Sequence, residues 1–295
     1  MCQVLLYTII WKKIKPHTEN QKEEIKIRTL SISAASDVGK KREVNEDNFY
    51  ADKIGIRKDE IMSETESIEV SERSIFAVCD GMGGEAFGKE SSEIAVECLS
   101  EFCDKIRQTT AEDLEEEVNA YVQEANDRIC QMIEEKMSKI GGSTLAMVCI
   151  EKSGEVTAYN VGDSRVYIFS DGELTQITED QTLAVKKLKA NIYTPEEART
   201  SVDSHKLTSF LGVDEYRTGL YPLTYEKFSI ENNKIIICSD GLYDMCTDEE
   251  ITQILTTSEE PNLAECLVHK AVENGGMDNI TCIVISDIGV SEKEI

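Results

Sequence analysis

The chain has 295 residues, with 57 Asp plus Glu against 31 Lys plus Arg, for a formal charge of −26. Its longest Lys/Arg run is Lys40-Lys41-Arg42, so neither a nucleic-acid-gripping surface nor a polybasic membrane anchor is expected. A hydrophobic fraction of 40% and a charged fraction of 30% exclude a disordered chain and leave ample material for a buried core.

The first apolar run, Val-Leu-Leu-Tyr-Thr-Ile-Ile-Trp at 4–11, is followed by Lys12 and Lys13. It falls short of the ~20 apolar residues that span a bilayer. It also lacks the basic start and small-residue cleavage site of a secretory signal. Residues 1–26 are therefore expected to be an extension outside the core, with one domain over 27–288, a tail at 289–295, and no membrane insertion.

Strands are expected at 27–34 and 48–56, with a charged loop or extended hairpin tip over 57–73. The apolar run at 74–79 is too short for a helix and reads as a buried strand. Two amphipathic helices follow. Ile94, Ala95, Cys98, Leu99, Phe102, Cys103 and Ile106 mark the first, and Leu114, Val118, Tyr121, Val122, Ala125 and Ile129 the second. Strands resume at 144–150, 155–161 and 165–169, and Asp171-Gly172 reads as a plain hairpin turn. The stretch 178–212 has no clean period, although Thr194-Pro195-Glu196-Glu197 looks like a capped helix start. Strands at 219–223 and 234–238, helices around 248–255 and 262–273, and a strand at 280–286 complete the chain. Strand blocks flanking paired helices imply an α+β fold, with antiparallel sheets carrying helices on their outer faces.

The ten cysteines include no Cys-x-x-Cys pair, and only His17, His205 and His269 could join them in a zinc set. Several lie within apolar runs, as Cys79 and Cys238 do, where Cys acts as a small buried hydrophobe. A reducing, cytoplasmic compartment is the expectation.

The chemistry-bearing pattern is acidic residues at strand ends. Asp80, Asp163 and Asp240 each follow an apolar run, Asp278 precedes the last one, and Glu46-Asp47 opens another. A single Asp-Gly is a turn signal first. Strands whose ends meet would nevertheless bring these carboxylates together. Two charges ~4 Å apart repel by roughly 4 kcal/mol at an effective dielectric near 20, so such a cluster calls for protons or cations. All-oxygen ligands favour Mg²⁺ or Mn²⁺ over zinc.

Six motifs surround these residues in order: Arg42-Glu43-Val44-Asn45-Glu46-Asp47, Asp80-Gly81-Met82-Gly83-Gly84, Gly141-Gly142-Ser143-Thr144, Asn160-Val161-Gly162-Asp163-Ser164-Arg165, Ser239-Asp240-Gly241-Leu242 and Asp278-Asn279-Ile280-Thr281. Together they resemble the metal-dependent protein phosphatase family, type 2C, in its bacterial form. The resemblance implies a four-layer α/β/β/α sandwich of two antiparallel sheets. It implies hydrolysis of phosphoserine and phosphothreonine in proteins by a metal-activated water. It also implies two core Mg²⁺ or Mn²⁺ ions, with a third, weaker one.

By the same resemblance, Asp80 bridges the two core ions. Asp240 and Asp278 complete one site, while the Gly81 carbonyl and Glu46 hold the other. Asp47 orients water, Arg42 clamps the substrate phosphate, and Asp163 meets the third ion with Asp240, Asp244 being a less certain member of that shell. The implied partners are phosphorylated proteins and a cognate Ser/Thr kinase system. A catalytically inactive interaction module and a small-molecule phosphatase are the alternatives on this scaffold.

The general acid is left unassigned: Met82 stands where many eukaryotic relatives place a His but bacterial ones commonly have Met, and Gln181 replaces a His of the bacterial pattern. His205 reads as a solvated loop residue. Residues 182–209 correspond to a flap beside the site, and its Lys186, Lys187, Lys189 and Arg199 are expected to help receive phosphorylated substrates.

Overall fold

The computed structural model describes residues 24–84, 87–136, 141–213 and 220–294. Its longest ladder pairs Glu24–Asp37 with Ile280–Glu294, antiparallel from Glu24 opposite Glu294 to Asp37 opposite Ile280. Around it the first sheet runs in the order Glu173–Gln176, Arg165–Ser170, Lys234–Cys238, Ile280–Glu294, Glu24–Asp37, Met62–Glu69. The second runs Leu223–Thr224, Glu155–Val161, Leu145–Ile150, Ser74–Cys79, Asn48–Ala51, Gly55–Ile56.

Most inner strands are buried on both faces, which explains why they read as unbroken apolar runs instead of alternating ones. Period-2 geometry then sorts their side chains between layers. Phe76 and Val78 join Ile32, Val148, Ile235 and Ile283 in a core between the two sheets. Ile75, Ala77 and Cys79 face the other way, against helices Phe87–Gln108 and Leu114–Glu135. Ile236 and Cys238 likewise face helices Asp248–Thr257 and Leu263–Asn274. Three cores separating helix, sheet, sheet and helix make the expected four-layer sandwich.

Several local expectations hold. Asp171 and Gly172 both have positive φ, 51° and 85°, as a tight hairpin turn requires. Thr194 caps the helix Pro195–Thr200 with a reciprocal capping box to Glu197.

Others need correction. The charged stretch 57–73 contains the edge strand Met62–Glu69, paired with Glu24–Asp37. Of its side chains only Ile68 is buried, so it shows no apolar alternation and its strand character comes from the neighbouring backbone. Residues 289–294 are not a tail but continue the last strand, and residues 24–26 of the expected extension pair with it. Pairing across the sheet order, not apolar content, sustains both ends. The expected strand at 48–56 is split by a turn with Lys53 at φ 71°. From the run at 219–223 the structure shows only the two-residue strand Leu223–Thr224 among the described residues. Residues 1–23 lie outside the described residues. Among those described, no helix is long and apolar enough to cross a membrane.

Candidate active site

The carboxylates expected to converge do so. Arg42, Glu46, Asp80, Gly81, Asp163, Asp240 and Asp278 line one cleft of about 640 Å³. Asp47 lies behind it, 1% exposed, and accepts a hydrogen bond from the Ser239 hydroxyl at 2.7 Å. That hydroxyl in turn accepts the Thr281 backbone N–H at 3.0 Å, so a strand end from each sheet is tied to the other beneath the cleft.

The motifs hold these carboxylates through backbone contacts. The Asp80 N–H donates to Thr144 Oγ1 at 2.9 Å, and the Thr144 N–H returns a bond to the Asp80 carbonyl at 2.8 Å. The next residue must be glycine: a Cβ on Gly81 would stand 2.1 Å from the Gly88 carbonyl oxygen and 2.5 Å from that of Glu46. Asn279 joins the opposite wall. Its amide donates to the Val38 and Val44 carbonyls at 3.0 Å each, and its Oδ1 accepts the Glu46 N–H at 2.8 Å.

Arg57 opens the stretch expected as a loop or extended hairpin tip, yet it is 6% exposed and organises the acidic segment. Its Nε donates to the Asp47 carbonyl at 2.9 Å and its Nη2 to the Asn45 carbonyl at 3.0 Å. An isolated Arg in a charged stretch carried no signal of this role. Arg57→Ala leaves two buried carbonyls unpaired, each costing about 1–3 kcal/mol. Urea unfolding is expected to show a loss of about 2–4 kcal/mol.

The electrostatics follow from crowding. Burial pushes the Asp80 carboxyl well above the usual range, and the charges of Asp47, Asp240 and Asp163 push it further. Asp163 is raised in the same way by burial and Asp240. Burial lifts Asp47 to about 7, against the hydrogen bonds from Ser239 and Thr281 that favour its anion. Asp278 is raised by burial and Asp240, although Arg42 reaches it at 2.8 Å. Asp240 Oδ1 is buried without a hydrogen-bond partner. Clustered all-oxygen donors, one of them an orphaned buried atom, suit a hard divalent cation.

Other sequence-based expectations are revised here. Lys187 pairs with Asp203 and donates to the Tyr193 hydroxyl, and Lys189 pairs with Glu179 at 2.6 Å. Both flap charges thus have acidic partners within the protein. Gln181 accepts the Gly162 N–H at 3.1 Å and so braces the turn that presents Asp163. His205 does not stand clear of the site. It lines the cleft, with Nδ1 3.9 Å from Asp240 Oδ2 and 3.7 Å from Asp244 Oδ2. No pattern in the sequence linked that residue to Asp240. Cys79 is fully buried and its thiol pKa is raised by that burial, which keeps it from acting as a thiolate.

Known proteins resemble this chain over most of its length. The family model "Protein phosphatase 2C" matches residues 58–270. The serine/threonine protein phosphatase PstP of Mycobacterium tuberculosis is 30% identical over 268 residues, which make up 88% of this chain and 45% of that relative. This chain therefore spans about half the length of that relative. Protein phosphatase PhpP of Streptococcus pneumoniae is 30% identical over 262 residues, 87% of this chain and 97% of its own. The crystal structure of Mycobacterium tuberculosis PstP superposes with a TM-score of 0.71 at 30% identity, covering 88% of this chain and 98% of that one. A second structure, the PstP catalytic domain in complex with 2 manganese ions, has a TM-score of 0.69 at 29% identity and covers 90% of this chain and 100% of its own. With the family model spanning most of the chain, and the cleft built from the motifs that first suggested it, this chain belongs to the protein phosphatase 2C family.

Proposed function

We propose that this protein hydrolyses phosphoserine and phosphothreonine in other proteins with Mg²⁺ or Mn²⁺ held in the acidic cleft. The observation that carries the reading is the cleft itself, where the clustered carboxylates, with those of Asp80 and Asp163 raised, share one wall with the half-exposed guanidinium of Arg42. Asp80, Asp240 and Asp278 would hold one ion, Asp80 with the Gly81 carbonyl and Glu46 the other, and Asp163 a weaker third beside Asp240. When bound, such ions supply an activated water and positive charge for in-line attack on phosphorus. Asp47, which accepts the Ser239 hydroxyl, would orient that water and accept a proton. Arg42 offers a planar fork of donors to the equatorial phosphate oxygens. No Cys nucleophile is needed.

The catalytic domain on this reading comprises the two paired sheets and their helices, with residues 182–209 as a flap. A cytoplasmic site of action suits the free cysteines buried in its cores, and a Ser/Thr kinase would supply the substrate. Hydrolysis of p-nitrophenyl phosphate and of a phosphothreonine peptide is expected with Mn²⁺ and absent in EDTA. Hydrolysis that persists in EDTA would exclude the metal mechanism. No turnover under either condition would instead favour an interaction module.

A further inference from the structure

The helix Phe87–Gln108 presses Gly88, Lys89 and Ser92 toward the segment that carries Glu46. Gly88 is buried, and a Cβ there would stand 2.5 Å from Glu46 Oε1 and 2.9 Å from the Gly81 carbonyl oxygen. The three atoms nearest to such a Cβ all belong to the Glu46 carboxyl or the Gly81 carbonyl, the two groups read above as sharing one core ion with Asp80. Gly88 is not among the positive-φ glycines, so its own backbone does not call for glycine. Alanine is the better helix former at such a position. What a methyl group would displace there is the pair of ligand groups.

The backbone of Glu46 is pinned from two directions. Its N–H donates to Asn279 Oδ1 at 2.8 Å, just ahead of the strand Ile280–Glu294. Its carbonyl accepts the Ser92 hydroxyl at 2.5 Å. Ser92 Oγ also lies 3.0 Å from the Lys89 carbonyl of its own helix, and its single proton goes to the nearer Glu46 oxygen. One residue earlier, the Asn45 N–H donates to Glu60 Oε2 at 2.6 Å, and Lys89 Nζ donates to the other oxygen of that carboxylate at 2.5 Å. With both backbone groups of Glu46 bonded to separate layers, its side chain has few directions left, and Gly88 keeps open the one beside the Gly81 carbonyl.

The two halves of the cleft also belong to different sheets. Asp240 and Asp278 flank strands of the first sheet, whereas Glu46 and Gly81 flank strands of the second, on which the helix Phe87–Gln108 packs.

We propose that Gly88, Lys89 and Ser92 are positioning residues for the ion held by Glu46 and the Gly81 carbonyl. The helix Phe87–Gln108 thereby sets the affinity of that ion separately from the Asp240–Asp278 half of the cleft. The proposal rests on the reading that the cleft binds two core ions, and it assigns one of them to the control of a helix that supplies no ligand.

Equilibrium dialysis against Mn²⁺ tests this with Ser92→Ala, Gly88→Ala, Lys89→Ala and a control, Ser91→Ala. Ser91 is as buried as Ser92, but its hydroxyl donates to the Phe87 carbonyl of its own helix at 2.6 Å. Wild type is expected to bind two Mn²⁺ tightly. Ser92→Ala and Gly88→Ala should each keep one of them and bind the other about 10- to 100-fold more weakly. Lys89→Ala, which alters a surface ion pair, should weaken the same ion by about two- to fivefold. Ser91→Ala should weaken neither. In a Glu46→Gln background Ser92→Ala should add little further loss, because it acts through Glu46. The rise in melting temperature that Mn²⁺ confers should fall in the same order.

Equal affinity for both ions in wild type, Ser92→Ala and Gly88→Ala would overturn the proposal and leave the phosphatase reading standing. So would an equal loss in Ser91→Ala, which would trace the effect to the helix as a whole, or an undiminished loss in the Glu46→Gln background. Should the buried variants fail to fold, the shift or its absence in Lys89→Ala decides. A wild type that binds no Mn²⁺ would overturn the two-ion reading itself, and this proposal with it.

Discussion

In EDTA, Asp80→Asn is expected to melt about 2–6 °C above the wild type, while its Mn²⁺-dependent phosphatase activity falls to background. Asp80 is crowded by Asp47, Asp163, Asp240 and Asp278, and its carboxyl is raised well above the ordinary range. An amide of the same shape removes one member of a like-charge cluster and relieves strain on the order of 1–3 kcal/mol. The same change removes the carboxylate proposed to bridge both core ions. Loss of activity with a gain in metal-free stability separates a functional cluster from a structural one, where losing Asp80 would lower the melting temperature.

The dependence on pH has a definite sign. Asp47 is raised to about 7, and Asp80, Asp163 and Asp278 are raised as well, against an unfolded value of ~3.9. Between those values the folded state holds protons that the unfolded chain has lost. Metal-free stability is therefore greatest toward the unfolded value and is lost as pH rises through the folded values. Melting in EDTA should be higher at about pH 5.5 than at about pH 7.5. Divalent ions need the ionised carboxylates, so the stabilisation conferred by Mn²⁺ should grow over the same interval. Asp80→Asn should flatten both trends, which general self-repulsion of the −26 chain would not.

Arg42→Ala is expected to lower kcat/KM for a phosphothreonine peptide by about 10- to 150-fold, the worth of one charged hydrogen-bonding contact. Without bound metal, Arg42 is held by carboxylates proposed to be ligands, Asp278 at 2.8 Å and Glu46 at 3.7 Å. It acts there as a stand-in cation. Metal binding to those carboxylates would release it and free the guanidinium for the substrate phosphate. Its removal should therefore have a second effect: the Mn²⁺ concentration for half-maximal activity should fall, because nothing competes for Asp278. Arg42→Lys should recover the competition but little of the phosphate recognition, since an ammonium lacks the planar fork. Steady-state kinetics across Mn²⁺ concentrations measure both effects. A weakened metal requirement without a change in kcat/KM would remove Arg42 from phosphate binding.

Much of this molecule was legible in its sequence because the signals were local. Two-faced burial makes 74–79 and 234–238 unbroken apolar runs, and helical spacing marks Ile94 to Ile106. The acidic residues stand at strand ends, where the chain turns and a side chain can leave the sheet. Strand Met62–Glu69 was not legible, because its pairing rests on a backbone partner 26 to 40 residues away. The same holds for the extension of the last strand through 289–294.

The sequence by itself determined which residues carry charge to the strand ends, and the order of six motifs was enough to indicate the family. Tertiary structure alone decided how those charges are held and what meets them. It buried Arg57 under the Asn45–Asp47 backbone and tied Asp47 to Ser239. It neutralised Lys187 with Asp203 and brought His205 to Asp240. These contacts join residues from 10 to 192 positions apart through a few hydrogen bonds and ion pairs. Such a pair leaves no periodicity and no spacing in the sequence, and exists only once the layers have packed.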